Sequence, residues 1–140
     1  MVQYYSVPIK LEVGVSKKKT YYLNLNQYNK WHFQIKNQLK RLFKASVAKD
    51  IKQLTPIKGR CKVTYTIFYP TNRKVDIDNI GSVVAKFNMD ALTELGFLED
   101  DNCTVVVRLE YVYGGVDKEH PRCDVVIEEI IWLGKIVLEQ

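Results

Sequence analysis

Cysteine is scarce in this chain: Cys61, Cys103 and Cys123 are widely spread and no two of them form a Cys-x-x-Cys pair. Such a set builds neither a disulfide framework nor a four-cysteine zinc site, so the thiols are expected to be reduced and structural. Histidine is scarcer still, with only His32 and His120. His120 and Cys123 have the spacing of half a zinc site with no second half, and a lone helical His32 reads as a packing or surface residue. Long apolar runs are missing too. Nothing approaches the roughly 20 residues that span a bilayer, and the opening Met1-Val2-Gln3-Tyr4-Tyr5 lacks the charged-then-apolar order of a signal peptide. The expected setting is a cytoplasm, with no membrane partner. Internal repeats, linkers and low-complexity segments are absent as well.

What remains is the composition of a folded protein, with 46% hydrophobic and 26% charged residues in 140. That length and balance fit one domain over residues 1–140. The net charge of +5 conceals a division. Residues 1–75 carry 16 Lys and Arg against only Glu12 and Asp50, whereas residues 76–140 carry 5 against 14 acidic side chains. A basic half beside an acidic half fits a surface that attracts a polyanion next to a site that gathers carboxylates. The plainer alternative is that the halves neutralise one another across the fold.

Hydrophobic spacing outlines the elements. Residues 3–13 alternate with Val7, Ile9, Leu11 and Val13 on one side, which predicts a strand ending at Gly14. Tyr21-Tyr22-Leu23 returns antiparallel to it, making a hairpin whose tip is Lys17-Lys18-Lys19. A long helix is expected from Asn26, capped by Asn24 or Asn26, with Tyr28, Trp31, Ile35, Leu39, Leu42, Phe43, Val47 and Ile51 on one broad face. Lys36, Lys40 and Lys44 fall on its other side, where like charges disfavour the helix unless something negative lies against them. Thr55-Pro56 stops it. Residues 60–69 alternate cleanly as a strand, and a second helix runs from about Asn79 to Leu95 with Gly96 as its stop. Strands over 104–113, broken by Gly114-Gly115, and over about 124–133 complete an α+β fold with a mixed, mostly antiparallel sheet and two main helices. Apolar residues near Ile130, Ile131, Trp132 and Leu133 are either core or a candidate dimer patch.

The segment Asp76 to Asp101 carries the chemistry. Asp76 and Asp78 are two apart at the entry to the second helix, and Asp100-Asp101 follow its end. A helix of that length spans about 25 Å, so the two acidic pairs meet only if residues 97–103 turn back along it. Convergent carboxylates imply raised pKa values or a bound cation, and an all-oxygen set favours Mg²⁺ or Mn²⁺ over zinc. Read singly, the same residues have ordinary roles. Asp78 serves as an N-cap, Asp100-Asp101 as a solvated turn, and Lys86 and Asp90 as a surface i, i+4 ion pair.

Taken in order, Asp76-Ile77-Asp78-Asn79, Ala85-Lys86-Phe87, Asp90-Ala91-Leu92, Gly96 and Asp100-Asp101 resemble the signature of the RusA-type Holliday junction resolvases, small endonucleases found mainly in phages and prophages. Leu25 to His32 is similar to the opening of that family's first long helix, again preceded by a basic loop, so the resemblance covers about residues 16–105. It implies that Asp76, Asp78 and Asp101 form the metal site and are catalytic, with Lys86 in support. One departure concerns the lysine, which some members place a helical turn nearer the first aspartates, where this chain has Ser82. Lys86 keeps the four-residue spacing to Asp90. The resemblance further implies a homodimer that binds four-way DNA junctions, and a bacterial host cell with phage or prophage origin.

The residue types suit that chemistry. Phosphodiester hydrolysis needs an activated water and neutralised charge on the phosphate and the departing 3′ oxygen, which carboxylate-held Mg²⁺ supplies, and Lys86 would offset charge on the phosphate. Lys17, Lys18 and Lys19 in the loop, Lys36, Lys40, Arg41 and Lys44 on the helix, and Arg73 and Lys74 ahead of Asp76 are candidates to contact DNA phosphates without reading sequence. Two other readings stay open at this stage: a nuclease specialised for forks or flaps, and a non-catalytic protein that binds branched DNA.

Overall fold

A computed structural model of the chain describes residues 1–132 and 137–138. In chain order the elements are β1 (Val2–Val7), β2 (Lys10–Val13), β3 (Lys19–Tyr22), α1 (Leu25–Tyr28), α2 (Phe33–Lys52), β4 (Cys61–Tyr69), α3 (Ile77–Glu94), β5 (Val106–Val116) and β6 (Arg122–Glu129), with two-residue strands β7 (Ile131–Trp132) and β8 (Val137–Leu138). The main sheet has the order β1-β6-β4-β5. Only β4 and β5 run parallel, and they are joined by α3 as the crossover that a parallel pair requires. The other two pairings are antiparallel, as an α+β fold with a mostly antiparallel sheet demands.

One face of this sheet is the floor of the core. Alternation on β4 buries Cys61, Val63, Tyr65 and Ile67, and the same face continues through Cys123, Val125 and Ile127 of β6 and Tyr5 and Val7 of β1. Helix α2 adds Leu39, Phe43, Val47 and Ile51, and α3 adds Ile80, Val84, Phe87, Ala91 and Leu92. Phe43 and Phe87 meet edge to face at 5.7 Å between centroids where the helices cross. Each such ring contributes about 1.5–3 kcal/mol by burial. A polar network crosses this core. Tyr5 Oη donates to Asn88 Oδ1 at 2.5 Å, and Asn88 Nδ2 donates to Tyr65 Oη at 2.9 Å. Burial raises both phenols above their ordinary range, so they stay protonated. Cys61 and Cys123 are buried and free, with thiols pushed up by burial to about 11 and about 12, so neither is a nucleophile.

Several expectations from the sequence need correction. Residues 3–13 form two strands rather than one: Pro8 lacks an N–H, and the chain leaves the main sheet there to pair β2 with β3 in a separate hairpin. The expected long helix from Asn26 is likewise divided. Asn24 caps the four-residue α1 through its side chain, a turn follows, and His32 caps α2 by accepting from Gln34 N–H at 3.3 Å. Trp31 therefore lies in the turn, edge-on to Tyr21 and Tyr28. Leu42 is exposed instead of buried. Gly114 does not end β5; it is the extra residue where the register shifts between Ile67 and Phe68, and the strand runs on to Val116. Of the apolar tail, Ile130 is half-buried and its N–H donates to Arg60 O at 3.0 Å. The side chains of Ile131 and Trp132, and Leu133 entirely, lie outside the described residues.

Candidate active site

Helix α3 starts two residues earlier than its spacing suggested. Asp76, not Asp78, occupies the N-cap, and its carboxylate makes no capping hydrogen bond. Asp78 lies in the first turn, where the helix dipole favours a negative charge. Both side chains are exposed. The motif asparagine, Asn79, faces the other way: its Oδ1 accepts the Leu25 N–H at 3.1 Å and ties α1 to the start of α3.

From Asp78 a stripe of residues four apart, Ser82, Lys86 and Asp90, runs along one flank of α3. Ser82 Oγ donates to the Asp78 carbonyl at 2.5 Å, so its hydroxyl is turned back on the helix. The helix ends at Gly96, whose φ of +79° is costly for any residue with a β-carbon. Phe97 and Leu98 then turn inward and are buried, Phe97 N–H donating to Leu92 O at 2.9 Å. This reversal brings the chain back along α3. Asp101 lines an open cavity of about 440 Å³ together with Ser82, Lys86, Asp90 and Tyr111. The return that residues 97–103 had room for is thus made, and it sets Asp101 in the same cavity as Lys86.

The electrostatics of this corner are acidic. Asp101 has its pKa raised by partial desolvation, by the hydrogen bond and charge of Asp100, and by the charge of Asp90. Asp100 is held low, chiefly because its carboxylate accepts the Asp101 N–H at 2.7 Å. Tyr111 is raised by burial and, secondarily, by the charge of Asp78.

The carboxylates are not all gathered. Among the described residues no three His, Cys, Asp or Glu side chains form a group able to hold a metal ion. The donor chemistry still suits a hard divalent cation: Asp76, Asp78 and Asp101 offer only oxygen, and the N-cap carboxylate of Asp76 is not engaged by its own helix.

The basic residues divide into two sets. Lys17, Lys18 and Lys19 are exposed at the hairpin tip, Arg41 is exposed on α2, and exposed Arg73 and Lys74 line a cavity of about 360 Å³ just ahead of Asp76. Lys36, Lys40 and Lys44 do not lie on an outward side of α2, as expected, but on the flank facing α3. Lys40 pairs with Asp90 at 3.3 Å, Lys44 pairs with Glu94 at 2.7 Å, and Lys36 sits 4.3 Å from the centroid of Tyr28. Lys86 lies 5.7 Å from that same ring, while Asp90 is engaged by Lys40 rather than by Lys86. Like Lys62 with Glu110, these pairs join the basic half to the acidic half. No described helix is long and apolar enough to cross a membrane.

Tyr111 and the tie made by Asn79 were missed by sequence reasoning. Tyr111 reads there as an ordinary strand aromatic, and the one available hint was Gly81, a residue without a side chain inside an otherwise apolar helical run.

The family model for endodeoxyribonuclease RusA matches residues 12–128 of the 140. No curated protein matches the chain.

Proposed function

The chain belongs to the RusA endodeoxyribonuclease family, and from that premise we propose that it is a divalent-metal-dependent, structure-selective nuclease that resolves Holliday junctions and related branched DNA. The active form is a homodimer that makes paired cuts in opposed strands. Residues 1–140 act as a single endonuclease domain in the cytoplasm of a bacterial host, with a phage or prophage origin. The observation that carries the site assignment is the return of the chain after Gly96, which sets Asp101 in one cavity with Lys86 although 15 positions separate them in sequence.

Each residue has a distinct part. Asp76, Asp78 and Asp101 would hold Mg²⁺, with Mn²⁺ as a substitute, once the ion draws their oxygens together. When bound, the ion supplies an activated water and charge neutralisation at the phosphate. The Lys86 ammonium offsets charge on the scissile phosphate or the departing 3′ oxygen. The cavity beside it is open, as access to a duplex backbone requires. Arg73 and Lys74 hold the adjoining phosphates, and Lys17, Lys18 and Lys19 grip a duplex arm further out. In a two-fold dimer two such sites face opposed strands.

The test uses a labelled immobile four-way junction, a three-way junction and linear duplex, each with Mg²⁺ or EDTA and beside Asp76→Asn. Symmetric nicks confined to the four-way junction, dependent on metal and on Asp76, establish the reading. Preferential cutting of the three-way substrate points to forks or flaps. Tight binding with no product, in Mn²⁺ and over varied core sequences, rejects catalysis.

A further inference from the structure

Tyr111 occupies a seat made for a ring. It stands on β5 opposite Tyr65 of β4, the two rings 6.1 Å apart, and its other side rests on α3 at Gly81. A β-carbon at position 81 would lie 2.7 Å from Tyr111 Cδ1 and 2.8 Å from Cγ, closer than real β-carbons approach. Gly81 is therefore what lets the helix backbone come down on the ring. The contact lies between Asp78 and Lys86 in sequence, and the same ring lines the cavity that holds Lys86 and Asp101. α3 contributes Ser82, Lys86 and Asp90 to that cavity and β5 contributes Leu109 and Tyr111, so the ring sets how far the β5 wall of the cavity stands from the helix. Among the described residues β5 is an edge strand bonded to β4, so the ring contact joins α3 to the edge of the sheet.

We infer that Tyr111 is a positioning residue of the nuclease: its ring, seated on Gly81, fixes the spacing between Asp78 and Lys86 on α3 and Asp101 across the cavity. The inference rests on the proposed nuclease reading and adds to it a residue that touches neither phosphate nor metal. It acts through packing, so the ring matters and the hydroxyl does not. Gly81 and Tyr111 should then behave as one unit.

The experiment measures single-turnover cleavage of the four-way junction by Tyr111→Phe, Tyr111→Ala, Gly81→Ala and the Gly81→Ala/Tyr111→Ala pair. Junction affinity and thermal melts are recorded for each. A misplaced catalytic group costs up to about 100-fold in rate, so Tyr111→Ala is expected to lower the cleavage rate by at least about tenfold with junction affinity unchanged. Phe restores most of that rate. Gly81→Ala gives a comparable loss, and the pair is no worse than the poorer single variant. Wild-type rates in a folded Tyr111→Ala overturn the inference, as do equal losses for Phe and Ala, or full additivity of the two positions. If an alanine variant melts early, Tyr111→Leu, which keeps a buried apolar side chain but not the ring's thickness, decides between lost folding and lost placement. A wild type that cuts no junction rejects the nuclease reading itself, and with it this inference. Cleavage that ignores Tyr111 rejects the inference alone.

Discussion

Lys40 holds Asp90 at 3.3 Å across the seam between α2 and α3. One turn further on, Lys44 repeats the arrangement with Glu94 at 2.7 Å. Two of the three lysines in the row on α2 therefore have their negative partners within the fold, on α3, while Lys36 lies against the ring of Tyr28. These pairs are a third or more exposed, so each stabilises by on the order of 0.2–1 kcal/mol.

This pairing separates the basic residues by their expected effect on DNA binding. Arg73→Ala or Lys74→Ala should weaken junction binding and flatten its dependence on log salt by about one unit, because each contact with a phosphate releases a counterion. Lys44→Ala should leave the slope near that of the wild type, since its charge is already opposed by Glu94. Titrations over a range of salt concentrations give both slopes. Equal flattening by Lys44→Ala would place α2 on the DNA.

Asp101 yields a pH prediction of defined sign. Its pKa in the fold is raised, so the folded chain holds that proton more tightly than the unfolded chain. The ionised form opposes folding, and the stability linked to the proton is present below the ordinary aspartate range and lost as pH rises through the raised value. Asp101→Asn should therefore melt higher than wild type at neutral pH, with the difference closing in acid. Thermal melts of the two proteins over that range check it. A gain that persists unchanged in acid would assign the effect to something other than charge.

The buried network should be costly to interrupt. Tyr5→Phe removes the donor to Asn88 Oδ1 and leaves a buried acceptor without it, at about 1–3 kcal/mol. Asn88→Ala deprives two phenols at once and opens a cavity, so its loss in urea unfolding should exceed that of Tyr5→Phe. Stability unchanged in both would mean that the network contributes nothing net.

Gly96 controls the turn that carries Asp101 back. Nothing lies within 4 Å of a β-carbon placed there, so the φ of +79° alone sets the cost of a substitution. Gly96→Ala should destabilise by about 1 kcal/mol, and Gly96→Asn by less, because Asn tolerates this conformation better. Comparing the two in urea isolates the backbone contribution.

Much of this architecture was legible in the sequence, because β4 alternates over its whole length and α3 carries an unbroken apolar stripe ending in glycine. The break between α1 and α2 was not legible. Asn29, Lys30 and Trp31 fit a helical pattern, and only the packing of Trp31 on Tyr21 and Tyr28, one of them from the hairpin, turns the chain there. The single strand expected over 3–13 failed similarly, since alternation continues through Pro8 while the pairing partner changes. At the site, the order of the aspartates was visible but their disposition was not. Whether Asp101 approaches Lys86 depends on Phe97 and Leu98 choosing the core, and the role of Asn79 depends on a backbone N–H some 54 residues away.

The bond from Leu25 N–H to Asn79 Oδ1 has a metric consequence. The lysine-tipped hairpin leads directly into α1, and α1 is fastened to the turn of α3 that holds Asp78. The base of the hairpin and the start of α3 are thus tied to one another at one point. For a nuclease that grips a duplex arm with the hairpin, this tie would limit how far the span from the gripped phosphates to the severed one can vary. Measured in base pairs from the branch, the cut would stay in place when the arm's sequence is exchanged and shift when residues are added to the hairpin.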